Sequence, residues 1–259
     1  MQSLPFWGGS AHVFVLFLMG DKMLKNFVRN LILREKASSE KYVEYLRKKG
    51  LEIGANAKFY SPSNSFVDLS APWLITIGDN ARFAHGVIIL THDYSWSVLK
   101  KLPQKGGQVL GAQGPVVIGN NIFVGMNTII TRGVTIGDNV VIGAGSVVTR
   151  DCESNSVYAG SPAKRIMSID EFLEKRVQKQ FEEAKKLALF YKNKFSKEPP
   201  VEVFSEYFML FCTADEALKI PQFKAQMETN CNFDQTVEYM NTHKPMFGSF
   251  EDFLKECLK

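Results

Sequence analysis

Aliphatic residues recur at every sixth position in the middle of the chain. Read from residue 118, the sequence divides into six-residue segments that each open with Ile or Val, at Ile118, Val124, Ile130, Ile136, Ile142 and Val148. A spacing of six fits neither the 3.6-residue period of a helix nor the alternation of a simple strand. One short strand and one turn per segment fit it, and a glycine that frees the turn from Cβ clashes follows at Gly119, Gly125, Gly137 and Gly143.

Three such segments make one triangular coil, and stacked coils bury an aliphatic column that no single coil could bury alone. The repeat also occurs upstream, with interruptions near Pro62 and Pro72, at Ile53, Phe59, Ile77, Phe83 and Ile89. A segment from Asp93 to about Gly114 breaks the spacing. Its Gly, Gln, Lys and Pro content predicts a long loop, whose length favours a functional role over a solvated flap.

Helical patterns flank the coils. A capping serine, apolar residues at helical spacing and Gly50 predict a helix over residues 38–50. Ser168 and Glu171 form a capping box before a long amphipathic pattern that ends before Pro199, and Phe-rich segments beyond it predict short helices. The chain is therefore divided into an N-terminal helical segment, a β domain and a C-terminal α-helical domain, at residues 1–50, 51–167 and 168–259.

An apolar run, AHVFVLFLMG, lies near the N-terminus. It is too short to span a bilayer as a helix, and no basic residues precede it as they would in a signal peptide. We interpret it as a helix or strand packed on the domain or on a neighbouring subunit. The basic residues that follow it leave loose attachment to a membrane surface as the alternative.

Composition narrows the class of protein only slightly. Hydrophobic residues at 45% and charged residues at 22% are ordinary for a soluble globular protein, and a net charge of +4 does not indicate nucleic-acid binding. The four cysteines lie far apart with no C-x-x-C pair, so neither a zinc site nor a disulfide framework is suggested. This cysteine usage favours a reducing cytoplasm.

Three stretches in and around the repeat carry a family resemblance. The upstream stretch ITIGDNARFAHGVIILTHDYS and the downstream stretches VIGAGSVVTRD and AGSPAKRI resemble the hexapeptide-repeat acyltransferases, in particular the maltose, galactoside and capsular or lipopolysaccharide O-acetyltransferases. The resemblance covers roughly residues 50–169. It implies a left-handed parallel β-helix, whose hand opposes the usual crossover rule. It also implies a homotrimer with acetyl-CoA as co-substrate, bound between neighbouring subunits, and no metal.

Four histidines are candidates for the general base that acetyl transfer to a hydroxyl needs. His92 matches the family's catalytic histidine in its THD context, at the mouth of the inserted segment. His85 comes two residues after the inward-facing Phe83, so it points outward; it is the second candidate for the base, or a residue lining the cleft. His12 and His243 lie outside the repeat and are interpreted as structural.

The resemblance also assigns residues to the acceptor. Asn64 stands where the sugar-binding branch carries an acceptor-contacting asparagine, and Phe123 stands where that branch usually has Trp. Asp93 either shapes the site or is an exposed loop aspartate. Trp96 is able to stack on a sugar ring, or packs on a neighbour. With His85, these residues form the expected acceptor side.

Five residues are assigned to acetyl-CoA in the same way, namely Met126, Ala144, Thr149, Arg150 and Lys164. Met126 departs from the family, which has a small polar residue there. Positive charge suits the phosphates of the cofactor, although Arg150 and Lys164 alone would be read as solvated charges.

The sequence therefore predicts an O-acetyltransferase that moves acetyl from acetyl-CoA to a hydroxyl of a sugar or a surface-polysaccharide precursor. The nearest alternative is transfer to a small molecule such as serine, an antibiotic or an amino sugar, including N-acetylation, because a fold does not reveal its acceptor. A zinc hydratase of the same fold needs three converging histidines, and only His85 and His92 lie in the coils. The intact THD and SPAKRI segments argue against a non-catalytic scaffold.

Overall fold

The computed structural model of the protein describes residues 28–259, so the apolar run and His12 lie outside the described residues. The described chain forms two compact units, divided between Ile166 and Met167. The first contains the coils and the second is helical. No helix of residues 28–259 is both long and apolar enough to cross a membrane.

A 3₁₀ turn at Arg34–Ala37 and helix α1 at Ser39–Lys49 precede the coils. The predicted caps of this helix are confirmed. The side chain of Ser38 accepts a hydrogen bond from the backbone N–H of Lys41, and Gly50 ends the helix with a φ of 106°. The apolar face of α1 is buried in the aliphatic core of the unit, which it helps to cover at the first coil.

Short strands make up the rest of the first unit. In chain order they are β1 (Glu52–Ile53), β2 (Lys58–Phe59), β3 (Phe66–Val67), β4 (Ile75–Ile77), β5 (Arg82–Phe83), β6 (Ile88–Ile89), β7 (His92–Asp93), β8 (Ala112–Gln113), β9 (Val116–Ile118), β10 (Phe123–Val124), β11 (Ile129–Ile130), β12 (Val134–Ile136), β13 (Val140–Ile142), β14 (Val147–Val148), β15 (Ser156–Ala159) and β16 (Lys164–Ser168). Further 3₁₀ turns at Pro62–Asn64 and Pro72–Leu74 interrupt the early coils where the two prolines predicted a break.

The strands of the coils form three sheets, β1–β4–β9–β12, β2–β5–β10–β13–β15–β16 and β3–β6–β11–β14. The strands up to β15 pair in parallel within these sheets. Because successive strands fall on successive sheets, the chain winds as a three-sided parallel β-helix whose sides are the predicted six-residue segments. The register pairs residues three segments apart, namely Ile118 with Ile136, Val124 with Ile142 and Ile130 with Val148. All six side chains are buried, so they form the continuous aliphatic column that the repeat predicts.

Asparagines stack at one corner of the β-helix. All adopt a left-handed backbone with φ between 55° and 57°, at Asn56, Asn80, Asn121, Asn139 and Asn155. Asn121 Nδ2 donates to Asn139 Oδ1, and Asn139 Nδ2 donates to Asn155 Oδ1, both at 2.8 Å. Asparagine tolerates this conformation better than most residues with a Cβ, and its amide can also bond to the next coil. The asparagines therefore stabilise this corner in two ways, through their left-handed backbone and through the hydrogen bonds between their side chains.

We expect Asn139→Ala to lower the free energy of unfolding by about 2–4 kcal/mol, because two hydrogen bonds of about 1 kcal/mol each are lost and alanine disfavours the left-handed backbone. Urea unfolding followed by circular dichroism measures the change. Asn139→Gly loses the same two bonds but accepts the backbone, so it should be the less destabilised variant. A glycine variant as unstable as the alanine variant would contradict the conformational part of this account.

The inserted segment has structure of its own. It contains helix α2 (Trp96–Leu99) and the antiparallel pair β7–β8, in which His92 lies opposite Gln113 and Asp93 opposite Ala112. The N–H of Gly114 also donates to the carbonyl of Thr91. The predicted loop is therefore closed at its base, and His92 lies at that closure.

The second unit contains helices α3 (Ile169–Phe195), α4 (Ala214–Ala217), α5 (Pro221–Met227), α6 (Phe233–Thr242) and α7 (Phe250–Cys257). The predicted capping box opens α3, with Ser168 and Glu171 each bonding the backbone of the other. The segment VEVFSEYFMLFC, predicted as a short helix, forms 3₁₀ turns instead, at Val201–Phe204 and Phe208–Leu210. Phe204, Phe208 and Phe211 of this segment are buried in the unit's own core.

Candidate active site

His92 and Asp68 form the centre of the candidate site. The β3–β6 register sets Val67 opposite Ile89 and so brings Asp68 beside the start of β7. Nδ1 of His92 lies 2.5 Å from Oδ2 of Asp68 and 3.0 Å from Oγ of Ser70. The side chain of Asp68 is 4% exposed and that of His92 is 24% exposed. A buried carboxylate therefore holds one edge of a solvent-accessible imidazole.

Asp68 is surrounded by hydrogen-bond donors. Its Oδ2 accepts from the N–H of Thr91 at 3.0 Å and from the Thr91 hydroxyl at 2.6 Å, and its Oδ1 accepts from the N–H of Ser70 at 3.0 Å. Burial, the strongest single influence, raises the pKa of Asp68. The hydrogen bonds from Thr91 and Ser70 together outweigh burial and hold the pKa well below its ordinary range. Asp68 is thus ionised at neutral pH.

The ionised carboxylate determines which nitrogen of His92 carries the proton. A carboxylate can only accept, so a contact of 2.5 Å requires that Nδ1–H of His92 donates to Asp68. In the neutral imidazole the lone pair then lies on Nε2. Such an imidazole can take a proton from a hydroxyl at Nε2, while the carboxylate stabilises the imidazolium that forms.

Asp93 links the inserted segment to the next coil. Arg132, in the turn after β11, donates from Nε to Oδ2 of Asp93 at 2.7 Å. Ser95 donates to Oδ1 from its N–H at 3.0 Å and from its hydroxyl at 2.5 Å. The hydrogen bonds from Ser95, followed by that from Arg132, lower the pKa of Asp93 below its ordinary range. Asp93 is therefore bound into the frame of the site and is not a free loop aspartate.

His92 opens onto a cleft of about 330 Å³, a volume within the range of small-molecule pockets. Its lining consists of Leu90, His92, Asp93, Thr131, Arg132 and Thr149. Thr131 and Thr149 lie at the same corner of successive coils, where both the N–H and the hydroxyl of Thr131 donate to the carbonyl of Val148. The rigid stacking of the coils thus fixes the floor of the cleft.

Two aromatic residues extend from His92 into the inserted segment. The ring of Tyr94 lies edge-on to His92 with centroids 4.7 Å apart, and Tyr94 is 65% exposed. Trp96 lies 6.1 Å from Tyr94, and Nζ of Lys100 lies 6.0 Å from the centre of the Trp96 ring. Trp96 is half-buried by these neighbours and does not line the cleft. Tyr94 is thus the nearer aromatic surface to His92.

His85 and Asn64 belong to a separate polar cluster. His85 is exposed, as predicted, and its Nδ1 lies 3.2 Å from Oγ of Ser61. The hydroxyl of Ser61 donates to Oδ1 of Asn64 at 3.1 Å, and the hydroxyl of Ser63 donates to the same atom at 2.8 Å. Neither His85 nor Asn64 lines the His92 cleft of its own chain. Their assignment to the acceptor stays a prediction.

The residues assigned to acetyl-CoA lie on the surface of the coils. All five are exposed, namely Met126, Ala144, Thr149, Arg150 and Lys164. Met126 and Ala144 lie at one corner of successive coils, where the N–H of Gly145 donates to the carbonyl of Met126. Phe123 is exposed on β10, three residues before Met126. Met126 and Ala144 thus form a short exposed row, and Arg150 and Lys164 add positive charge of the kind that suits the phosphates of a ligand. Within residues 28–259, no three His, Cys, Asp or Glu side chains group so as to hold a metal ion.

Sequence reasoning missed several residues of the site, among them Asp68, Ser70, Tyr94 and Arg132. One signal for Asp68 was present, because an acid directly follows the inward-facing Val67 beside the aliphatic column. The sequence did not indicate that Asp68 contacts His92, since the turn at Pro72–Leu74 disturbs the six-residue count between these two residues. Arg132 gave no signal, because an arginine in a turn is ordinarily a solvated charge.

Comparison with known proteins agrees with this architecture. Residues 115–150 match the family described as the hexapeptide repeat of succinyl-transferase. The chain is 39% identical over 158 residues to Protein CapG of Staphylococcus aureus. This match covers 59% of this chain and 88% of CapG. The chain is also 38% identical over 122 residues to the galactoside O-acetyltransferase of Escherichia coli K12. That match covers 47% of this chain and 55% of the relative, so the chain spans about half the length of this enzyme.

Solved structures include similar proteins. A maltose O-acetyltransferase from Clostridium difficile 630 has 32% identity and a TM-score of 0.37, covering 55% of this chain and 81% of that chain. A galactoside acetyltransferase in complex with coenzyme A has 27% identity and a TM-score of 0.39, covering 59% of this chain and 84% of that chain.

A three-sided parallel β-helix with a carboxylate-held histidine beside a cleft defines an enzyme built on hexapeptide repeats. The identity to CapG over most of that protein's length settles the family. The chain belongs to the hexapeptide-repeat acyltransferases, as its sequence motifs indicated.

Proposed function

We propose that this protein transfers acetyl from acetyl-CoA to a hydroxyl of a sugar or a surface-polysaccharide precursor, with His92 as general base. The observation that carries the proposal is the contact between Nδ1 of His92 and the buried carboxylate of Asp68. It leaves Nε2 of the imidazole as the atom that accepts a proton. The family membership of the chain supports acetyl transfer, and relatives named galactoside and maltose O-acetyltransferases support a sugar acceptor.

The reaction proceeds by direct attack. Nε2 of His92 takes the proton of the acceptor hydroxyl as its oxygen bonds to the thioester carbonyl carbon, which gives a tetrahedral oxyanion stabilised by N–H groups beside the cleft. When the oxyanion collapses, the carbon–sulfur bond breaks and the proton on His92 passes to the departing thiolate. The products are an acetyl ester and coenzyme A, and His92 is neutral again. No covalent enzyme intermediate forms.

Asp68 positions the base in this proposal. Its carboxylate keeps Nδ1 protonated, so Nε2 stays basic, and it stabilises the positive charge that His92 carries midway through the reaction. Its burial matters, because a charge interaction is stronger away from water. Thr91 and Ser70 hold the carboxylate in place, and their hydrogen bonds keep it ionised.

The co-substrate would lie along the exposed row of Met126 and Ala144 and reach the cleft at Thr149. Arg150 and Lys164 would meet its phosphates. On the acceptor side, Tyr94 adds an exposed ring beside His92 to the residues that the sequence indicated, namely Asn64, His85, Asp93, Trp96 and Phe123. Aromatic faces suit the apolar faces of sugar rings.

The proposed enzyme is a cytoplasmic homotrimer with left-handed coils. The exposed row and the separate His85 cluster support the trimer, since a neighbouring copy would bring further residues to each cleft. Light scattering gives the mass of the particle, and a fully active monomer would contradict this part. A crystal structure of the purified protein tests the hand.

Turnover on different acceptors tests the function. With acetyl-CoA fixed and saturating, release of the thiol is followed with nucleotide sugars, oligosaccharides, serine and chloramphenicol under one set of conditions. We expect the saccharides to have the highest kcat/KM. A preference for serine or chloramphenicol would overturn the sugar acceptor. Trp96→Ala should lower the saccharide rate, and an unchanged rate would remove Trp96 from the site.

A further inference from the structure

Arg132 is held with its guanidinium at the His92 cleft. Its Nε is engaged by Asp93 at 2.7 Å, and its side chain is 41% exposed. The two Nη groups have no hydrogen-bond acceptor within residues 28–259. Asp93 is itself fixed by two hydrogen bonds from Ser95. The guanidinium is thus oriented on one edge while its other donors remain available.

Charge in the cleft is unevenly placed. Of the described residues that line it, Arg132 is the one with a permanent positive charge, and Asp93 is the one carboxylate. The acidic charge of Asp93 is directed at Arg132 and Ser95, and Asp68 is nearly inaccessible behind His92. A ligand in the cleft therefore meets the N–H donors of Arg132 without a free carboxylate opposing it.

We propose that Arg132 binds an anionic group, a carboxylate or a phosphate, on the acceptor, so that the enzyme prefers acidic saccharides. The inference rests on the proposed sugar acetylation and names its substrate class. A guanidinium offers two parallel N–H donors that match the two oxygens of such a group, a geometry that lysine lacks. Because Asp93 partly neutralises Arg132, the selectivity comes from this fork and is expected to be moderate, about tenfold.

Matched acceptors isolate the anionic group. The p-nitrophenyl glucuronides and galacturonides are compared with their methyl esters, which lack the same C6 hydroxyl but carry no charge. Glucose 6-phosphate against glucose tests phosphate in the same way. We expect a lower KM for one or both anionic classes, by at least about tenfold, which corresponds to about 1.4 kcal/mol. Equal KM values would overturn the inference and leave sugar acetylation standing. Failure to acetylate any saccharide would overturn both.

Three variants assign the preference to Arg132. Arg132→Gln should remove the preference, because it should raise the KM for the anionic acceptor about tenfold more than the KM for the neutral acceptor or for acetyl-CoA. Arg132→Lys keeps the charge without the fork and should retain only part of the preference. Arg165→Gln is the control, since Arg165 is also exposed and faces a carboxylate, that of Glu153 at 3.9 Å. It should behave as wild type.

Two outcomes would show a different role for Arg132. A rise in the KM for acetyl-CoA alone would place Arg132 on the co-substrate and contradict the proposal. Equal losses with all acceptors, together with a lowered unfolding midpoint in urea, would show that the Asp93 pair only fastens the inserted segment to the coil. Arg132→Lys protects the test from misfolding, because lysine can keep that ion pair.

Discussion

Replacing His92 with alanine is expected to lower kcat by at least about a hundredfold, the usual loss when a general base is removed. Alanine leaves no group to take the proton of the acceptor hydroxyl as its oxygen attacks. His92 is not part of the aliphatic core of the coils, so its loss should leave their packing intact. Stopped-flow or coupled assays of thiol release give kcat, and equilibrium binding of acetyl-CoA should stay at the wild-type value.

His85→Ala is the matched control for this prediction. His85 is also a histidine on the coils, but it contacts Ser61 and lacks a carboxylate partner among the described residues. Its replacement should reduce kcat much less than that of His92. If the two variants behaved the other way round, His85 would be the base and the importance of the Asp68 contact would be refuted.

Asp68→Asn is expected to lower kcat by roughly 10²–10⁴, because an amide can donate to Nδ1 and so place the imidazole proton on Nε2. The acceptor hydroxyl would then face a nitrogen that cannot take its proton. The side chain keeps its size, so the KM for acetyl-CoA should change little. Nitrogen NMR of labelled histidine gives a second readout, with the proton on Nδ1 in the wild type and on Nε2 in the variant.

Stability should show a matching dependence on pH. The pKa of Asp68 is depressed in the folded state, so its carboxylate stabilises the fold above its ordinary pKa, and this contribution is lost as the pH falls through the folded value. The gap in unfolding free energy between wild type and Asp68→Asn should therefore be widest near neutral pH and narrow below about pH 4. A gap that widened on acidification, or full activity with the proton still on Nδ1, would contradict the assigned role of Asp68.

The repeat could be predicted from the sequence because it depends on local rules. Each six-residue segment has one aliphatic residue that points inward. This spacing predicted the short strands and the buried aliphatic column. Ser38 with Gly50, and Ser168 with Glu171, marked helix ends through contacts between residues only a few positions apart. His92 was found through its THD context, which is a family signal and not a physical one.

The partners of His92 could not be predicted because they depend on register between coils. Asp68 reaches His92 only through the pairing of β3 with β6, and two proline-led turns of irregular length lie before and after β3. Arg132 meets Asp93 only because the inserted segment closes at β7–β8 and returns to the next coil. Trp96 was favoured as the stacking residue, but spacing does not reveal that Tyr94 is the ring beside His92.

In the proposed reaction, the acetyl group passes directly from acetyl-CoA to an oxygen of a saccharide at His92. Incubation with carbon-13 acetyl-CoA and the best saccharide acceptor, followed by NMR of the product and mass spectrometry of the protein, tests it most directly. We expect an ester-linked label on the saccharide and none on the protein, and labelling of the saccharide by His92→Ala should be at least about a hundredfold slower. Label on an amine, or label retained covalently on the protein, would contradict it.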